Sequence, residues 1–165
     1  MPMRPAMVLL FALAVAGCGF QPLYGSAGDI ATAGDLARVD VARIPDRSGQ
    51  ILRNILIEGL NPSGRPTDPL YRLEVEIAER KQGLGISKED DVTRANLVVT
   101  ASVSLLSTAD GEQLLSRRLG TITSYNILLD EYATLSAEQA ARDRALRRLG
   151  RDIRTQLALY FARSG

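Results

Sequence analysis

The period of the hydrophobic pattern changes several times along the chain. Between Arg38 and Ile44, Val39 and Val41 alternate with polar neighbours before the register is lost near Ile44, which predicts a first strand. Pro45-Asp46-Arg47-Ser48 then supplies breaker and cap residues, and Ile51, Leu52, Ile55, Leu56 and Leu60 recur at helical spacing, so a helix is predicted over 47–60. It ends at Asn61-Pro62-Ser63-Gly64, whose proline lacks the amide proton that a helix interior needs. Leu73, Val75 and Ile77 alternate with Arg72, Glu74 and Glu76, giving a half-buried strand from about 70 to 80. Leu97, Val99, Ala101, Val103 and Leu105 do the same for a third, longer strand. Thr108-Ala109-Asp110-Gly111 carries a hairpin signal, because Asp-Gly tolerates positive φ, and a fourth strand follows from Gln113 to about Tyr125.

The last helix is predicted to open at Ser136, with Gln139 completing a capping box. Leu146, Leu149, Ile153, Leu157 and Tyr160 form one apolar stripe, while Arg144, Arg147, Arg148 and Arg151 lie on the opposite face. The order β-α-β-β-β-α predicts an α+β fold in which two helices pack on one face of a four-stranded mixed or antiparallel sheet, a two-layer sandwich. This domain is expected over 36–165. Residues 26–35, small and polar with two glycines, read as a spacer.

The amino terminus has another character. Arg4 precedes an uncharged apolar stretch from Ala6 to Ala16, too short for the roughly 20 residues of a membrane span and followed by small residues. That is the layout of a secretory signal peptide over residues 1–17. Val15-Ala16-Gly17-Cys18 looks like the lipobox of bacterial lipoproteins, with Cys18 as the acylated first residue of the mature chain; an ordinary signal peptide with a coincidental cysteine is the plainer reading. By the same resemblance, Gly19 in place of Asp after the cysteine points to the outer membrane. The resemblance implies a thioether-linked diacylglycerol and an amide-linked acyl chain, whose methylenes, each worth about 0.8 kcal/mol when buried, exceed what stable anchoring needs.

Composition removes classes of chemistry. The 165 residues contain no His and one Cys, so zinc sites, Ser-His-Asp arrangements and an internal disulfide are not expected. A net charge of +1 gives no reason to expect nucleic-acid binding, and no metal or cofactor is expected. Removing residues 1–17 takes away Arg4 and no acid, so the mature side chains balance at 19 of each sign. The Gly83-Leu84-Gly85 segment matches no phosphate-loop spacing, and the acids Glu89, Asp90 and Asp91 match no calcium loop, so 83–91 reads as a solvated hairpin tip. Glu74 and Glu76 share a strand face and could pair carboxyls in a hydrolase, but the strand's other face is the apolar one, and solvent exposure is the expectation.

Cys18-Gly19-Phe20-Gln21-Pro22-Leu23-Tyr24-Gly25 resembles the mature start of the lipopolysaccharide-assembly lipoprotein family LptE. Gln50-Ile51-Leu52-Arg53-Asn54-Ile55-Leu56, followed by Leu60-Asn61-Pro62, is similar to the first helix of that family, and the element order agrees. The resemblance implies a non-enzymatic outer-membrane subunit that sits as a plug in the β-barrel LptD, assists its assembly and helps deliver lipopolysaccharide to the outer leaflet. An adapter of another outer-membrane transport or barrel-assembly system is the rival reading.

No matching motif assigns lipopolysaccharide contacts. Phosphates and carboxylates of that lipid favour cationic partners, so Arg80, Lys81, Lys88 and Arg94 around the second hairpin, and Arg117 and Arg118 in the fourth strand, are candidates. The same residues also read as solvated strand-end charges, and the arginine face of the last helix could instead meet acids inside the barrel. Phe20, Leu23 and Tyr24, apolar groups with little local structure to bury them, form either a passive tether or a partner contact.

Overall fold

A computed structural model describes residues 33–84 and 93–164 of the chain. Six main elements follow the predicted order: β1 (Val39–Val41), α1 (Asp46–Leu60), β2 (Tyr71–Leu84), β3 (Thr93–Ser107), β4 (Gln113–Ile127) and α2 (Glu131–Ser164). Residues 33–37 add a short helical turn at the end of the stretch that read as spacer. Among the described residues, no helix is long and apolar enough to cross a membrane.

The sheet runs β1-β2-β3-β4. α1 links β1 to its parallel neighbour β2, and the remaining pairs are antiparallel. Strict alternation fixes the register. Leu73 lies opposite Leu105 and Leu105 opposite Leu115, while Ala95 lies opposite Tyr125, and all five are buried on one face. The β3–β4 turn uses the predicted Asp-Gly step: Gly111 has φ 75°, and the Asp110 carboxylate accepts the Glu112 amide at 3.1 Å.

Both helices lie beneath that apolar face. α2 sits under β4 and β3 through Leu146, Leu149, Ile153 and Leu157, each fully buried. α1 packs against α2 and β1 through Leu52 and Leu56. The two helices meet at Gly150, where a Cβ would fall 2.6 Å from the Ile55 Cγ2, so only glycine permits this approach. Tyr71 and Phe161, ring centroids 4.8 Å apart, fasten the end of α2 to the start of β2. A 34-residue helix spans about 51 Å and a 15-residue strand roughly 50 Å, so helix and sheet are matched in length.

Two helix starts differ from expectation. α1 begins at Asp46, whose φ is 65°, with Pro45 at the N-cap and no side-chain cap bond, so the expected cap residues do not cap it. α2 begins five residues before Ser136. Asp130 is its cap: the carboxylate accepts the Tyr132 amide at 2.8 Å and the Ala133 amide at 3.4 Å, satisfying N–H groups of the first turn. The Thr134 hydroxyl also accepts the Leu128 amide at 2.8 Å and donates to the Leu128 carbonyl at 3.1 Å, which closes the β4–α2 connection. Ser136 therefore lies within the second turn.

Candidate functional site

Strand periodicity divides the basic candidates between two surfaces, because successive side chains point to opposite faces. By register, Arg80, Val98 and Ile122 form one row on the face turned away from the helices; Gln82, Asn96 and Ser124 form the next. Arg94 and Asn126 follow toward the β2–β3 end. The Ser124 hydroxyl donates to the Asn96 side-chain carbonyl at 2.7 Å. Arg118 is on the same face but in the row of Ser102 and Glu76, roughly 26 Å along β3 from the row of Arg94. The open face thus carries the guanidinium groups of Arg80 and Arg94 toward the β2–β3 end, and those of Arg118 and Arg72 farther along, among Glu76 and Glu74.

Lys81 and Arg117 point to the other face. The Lys81 ammonium donates to Glu138 Oε2 at 2.7 Å, and Arg142 donates to Glu138 Oε1 at 2.7 Å and to Glu79 Oε2 at 2.9 Å. These four residues join β2 to α2 where the sheet face turns from apolar to charged. Burial pushes the Glu138 carboxyl upward, but the hydrogen bonds from Lys81 and Arg142 outweigh it and hold the group below its usual 4.5. Arg117 is exposed and donates to the Ser116 carbonyl at 2.9 Å. Lys88, Cys18, Phe20, Leu23 and Tyr24 lie outside the described residues.

A cluster that the pattern analysis did not single out lies at the same end of the molecule. Leu128, Leu129, Tyr132 and Leu135 are 42%, 87%, 79% and 50% exposed. Ile122, 64% exposed, adds an apolar group on the open face two rows from Arg94–Asn126, and Leu128 and Leu129 follow Asn126 directly in the chain. Their sequence signal was the apolar recurrence at 128, 129, 132 and 135, just ahead of the spurious capping box at Ser136.

Concave surface lies elsewhere. A cleft of about 620 Å³ between the start of α1, β2 and α2 is lined by Arg47, Ser48, Ile77, Glu79, Gln139 and Arg142. A second, of about 480 Å³, lies among the 33–37 turn, the 61–67 loop and Arg154. Glu74 and Glu76, the pair weighed as a hydrolase dyad, are exposed on the open face and line neither cleft; Glu74 is held by Arg72 at 3.2 Å. The arrangement suits contact with an extended surface or an amphiphile better than enclosure of a small substrate.

The comparisons with known proteins agree with this geometry. A family model described as LptE, lipopolysaccharide-assembly, matches residues 36–157. Among solved structures, a lipoprotein candidate from Caulobacter crescentus CB15 superposes with a TM-score of 0.66 at 20% identity, over 81% of this chain and 97% of that one. A minor lipoprotein from Acinetobacter baumannii gives 0.57 at 20% identity, over 73% and 91%. The rare lipoprotein B from Shewanella oneidensis gives 0.55 at 10% identity, also over 73% and 91%. At these identities the likeness is one of fold. No curated protein matches the chain.

Proposed function

The chain belongs to the LptE family of lipopolysaccharide-assembly proteins, and on that premise we propose that it is an outer-membrane lipoprotein subunit of the lipopolysaccharide transport machinery. In this reading Cys18 carries the acyl chains, residues 18–35 connect them to the domain, and the domain sits as a plug within the LptD β-barrel. There it assists assembly of the barrel and passage of lipopolysaccharide into the outer leaflet. Its role is one of binding and scaffolding rather than catalysis.

The observation that carries this reading is the family match across nearly the whole folded domain, 36–157. The geometry of the hairpin end supports it. Arg80 and Arg94 present planar guanidinium groups able to take phosphate oxygens in pairs, and Ile122, Leu128 and Leu129 are exposed as apolar surface for acyl chains. Two guanidinium groups on a face that also exposes large apolar side chains match an anionic amphiphile. The lipobox and the length of the leading segment support the anchor: about 15 residues separate Cys18 from Ala33, a span of at most about 50 Å when fully extended, enough for the domain to enter a barrel while the acyl chains stay in the inner leaflet.

Depletion of the protein in cells tests the proposal. Lipopolysaccharide at the cell surface is expected to fall and LptD to accumulate in an immature form, and a Cys18→Ser variant that takes up no radiolabelled fatty acid is expected to rescue poorly. Normal surface lipopolysaccharide and mature LptD after full depletion would overturn it.

A further inference from the structure

The described chain enters the domain at a cleft. The second hollow, of about 480 Å³, is lined by Ala33, Leu36, Leu60, Pro62, Pro66 and Arg154, so that largely apolar walls carry a guanidinium group. Its shape is held from within. Asn61, only 6% exposed, donates from Nδ2 to the Ala37 carbonyl at 3.0 Å and so ties the end of α1 to the 33–37 turn. Gly64, with φ 108°, donates its amide to the Asn61 carbonyl at 3.0 Å, and Pro62 and Pro66 stiffen the loop on either side. Arg154 crosses from α2 toward α1, its Cδ 3.5 Å from where a Cβ on Gly59 would stand. Arg65, which also lines the cleft, is committed to Asp40 at 2.8 Å, whereas no carboxylate among the described residues pairs with Arg154.

We infer that this cleft is the seat of the chain's own leading segment, Phe20-Gln21-Pro22-Leu23-Tyr24, with Asp29 meeting Arg154. Place, reach and chemistry select that occupant. Ala33 is itself part of the lining, so the residues before it leave the domain from the cleft. About nine residues separate Tyr24 from Ala33, at most roughly 30 Å of extended chain, which lets the segment double back. So short a connection gives an effective concentration on the order of millimolar, ahead of an occupant from outside. Residues 18–32 supply Phe20, Leu23, Tyr24 and Ile30 for the apolar walls and a single charge, Asp29, opposite in sign to Arg154. Pro22 keeps Gln21 out of the helical region, so less chain entropy is lost on seating. The volume falls within the roughly 300–1,000 Å³ of sites that enclose several groups.

The seat changes what the anchor does, a consequence that rests on the functional reading above. Leu23 lies about five residues from Cys18, or roughly 17 Å of extended chain, in place of the roughly 50 Å open to a free leading segment. The Ala33 end of the domain is then held close to the leaflet that takes the acyl chains. The β2–β3 end, roughly 45 Å away along β2, points away from that leaflet. The anchor thereby sets orientation as well as location.

The test uses the full acylated chain in detergent, where Cys18 is blocked and introduced cysteines are the free thiols. With Leu23→Cys and Ser63→Cys, the latter on the cleft loop, mild oxidation is expected to close an internal disulfide at least ten-fold faster than with Leu23→Cys and Asn54→Cys. Asn54 is an exposed position on α1 that a free tether of this length also reaches. Ala37→Trp, which fills the cleft while leaving the carbonyl that holds Asn61, should abolish the preference. Arg154→Glu should reduce it several-fold, and Asp29→Arg added to Arg154→Glu should restore it. Equal rates for the two cysteine pairs overturn the inference, and so does a preference unchanged by Ala37→Trp. Disulfide-linked dimers, or a crosslink to another protein in place of the internal bond, overturn it as well, giving the cleft to a second copy or the segment to a partner. The rates are read on the isolated chain, independently of LptD and lipopolysaccharide. A Cys18 found by mass to carry no acyl chain counts against the functional reading and not against the seat.

Discussion

Replacing Gly150 by Ala tests whether the approach of the two helices is as close as described. In an exposed helix interior this change stabilises by about 1 kcal/mol, because glycine loses more backbone entropy on folding. Here the added Cβ would stand 2.6 Å from the Ile55 Cγ2, with the Ile55 Cβ at 3.6 Å and the Leu52 Cδ1 at 3.7 Å. Ile55 has little freedom to yield, since a β-branched side chain in a helix holds one χ1 rotamer, so α1 itself must shift. Overpacking of this kind costs about 1–3 kcal/mol. Set against the propensity gain, the net is a loss of up to about 2 kcal/mol, which lowers the melting temperature by several degrees. Gly59→Ala is the internal control. Its Cβ would meet only the flexible Arg154 side chain at 3.5 Å, so that variant should gain up to about 1 kcal/mol. Thermal and urea unfolding of the two variants, followed by circular dichroism, should move in opposite directions. A Gly150→Ala protein more stable than wild type by the full propensity gain would refute the packing argument.

Three further outcomes follow from other parts of the structure. Because Glu138 is held below its unfolded value near 4.5, its pairing stabilises the fold above that pH and is lost as pH falls through the lower folded value. Glu138→Gln should therefore lower the melting temperature at neutrality and flatten its decline between about pH 5 and pH 3; an unchanged acid limb would contradict this. Leu129→Ser with Tyr132→Ser should leave stability within about 0.5 kcal/mol, as both side chains are more than three-quarters exposed, yet weaken lipopolysaccharide binding to the purified protein. Binding equal to wild type would remove the apolar cluster from the lipid surface. Replacing Phe20, Leu23 and Tyr24 together by Ser should reduce co-purification with the barrel while the domain stays folded, and full recovery would make the segment a passive tether.

The parts of the fold that could be read in advance are those with short-range causes. One-sided burial enforces alternation, so β2, β3 and β4 were evident from Leu73–Ile77, Leu97–Leu105 and the Asp110-Gly111 turn. The extension of β2 to Leu84 was hidden, because Glu79 and Lys81 occupy the helix-covered face and break the apolar pattern. Their partners, Glu138 and Arg142, lie 57 and 63 residues away, a pairing that no local pattern reveals. The start of α2 was displaced because Ser136 and Gln139 imitate a cap, while the cap in use, Asp130, precedes a turn whose apolar residues face outward. For the candidate site, adjacency along the chain proved a poor guide: Arg80 and Lys81, like Arg117 and Arg118, are neighbours in sequence but project to opposite faces of the sheet. The period of two carries that separation; the apolar cluster after Asn126 depends on where β4 stops and α2 begins.

The central claim is that this domain works inside a barrel that exports lipopolysaccharide. It is tested most directly by affinity isolation of the intact lipidated protein from outer membranes in mild detergent, with the co-eluting proteins and lipids identified by mass spectrometry. The account predicts LptD recovered in fixed proportion to the chain, together with lipopolysaccharide. Recovery of the lipoprotein without LptD, or with the barrel of another system in its place, would contradict it.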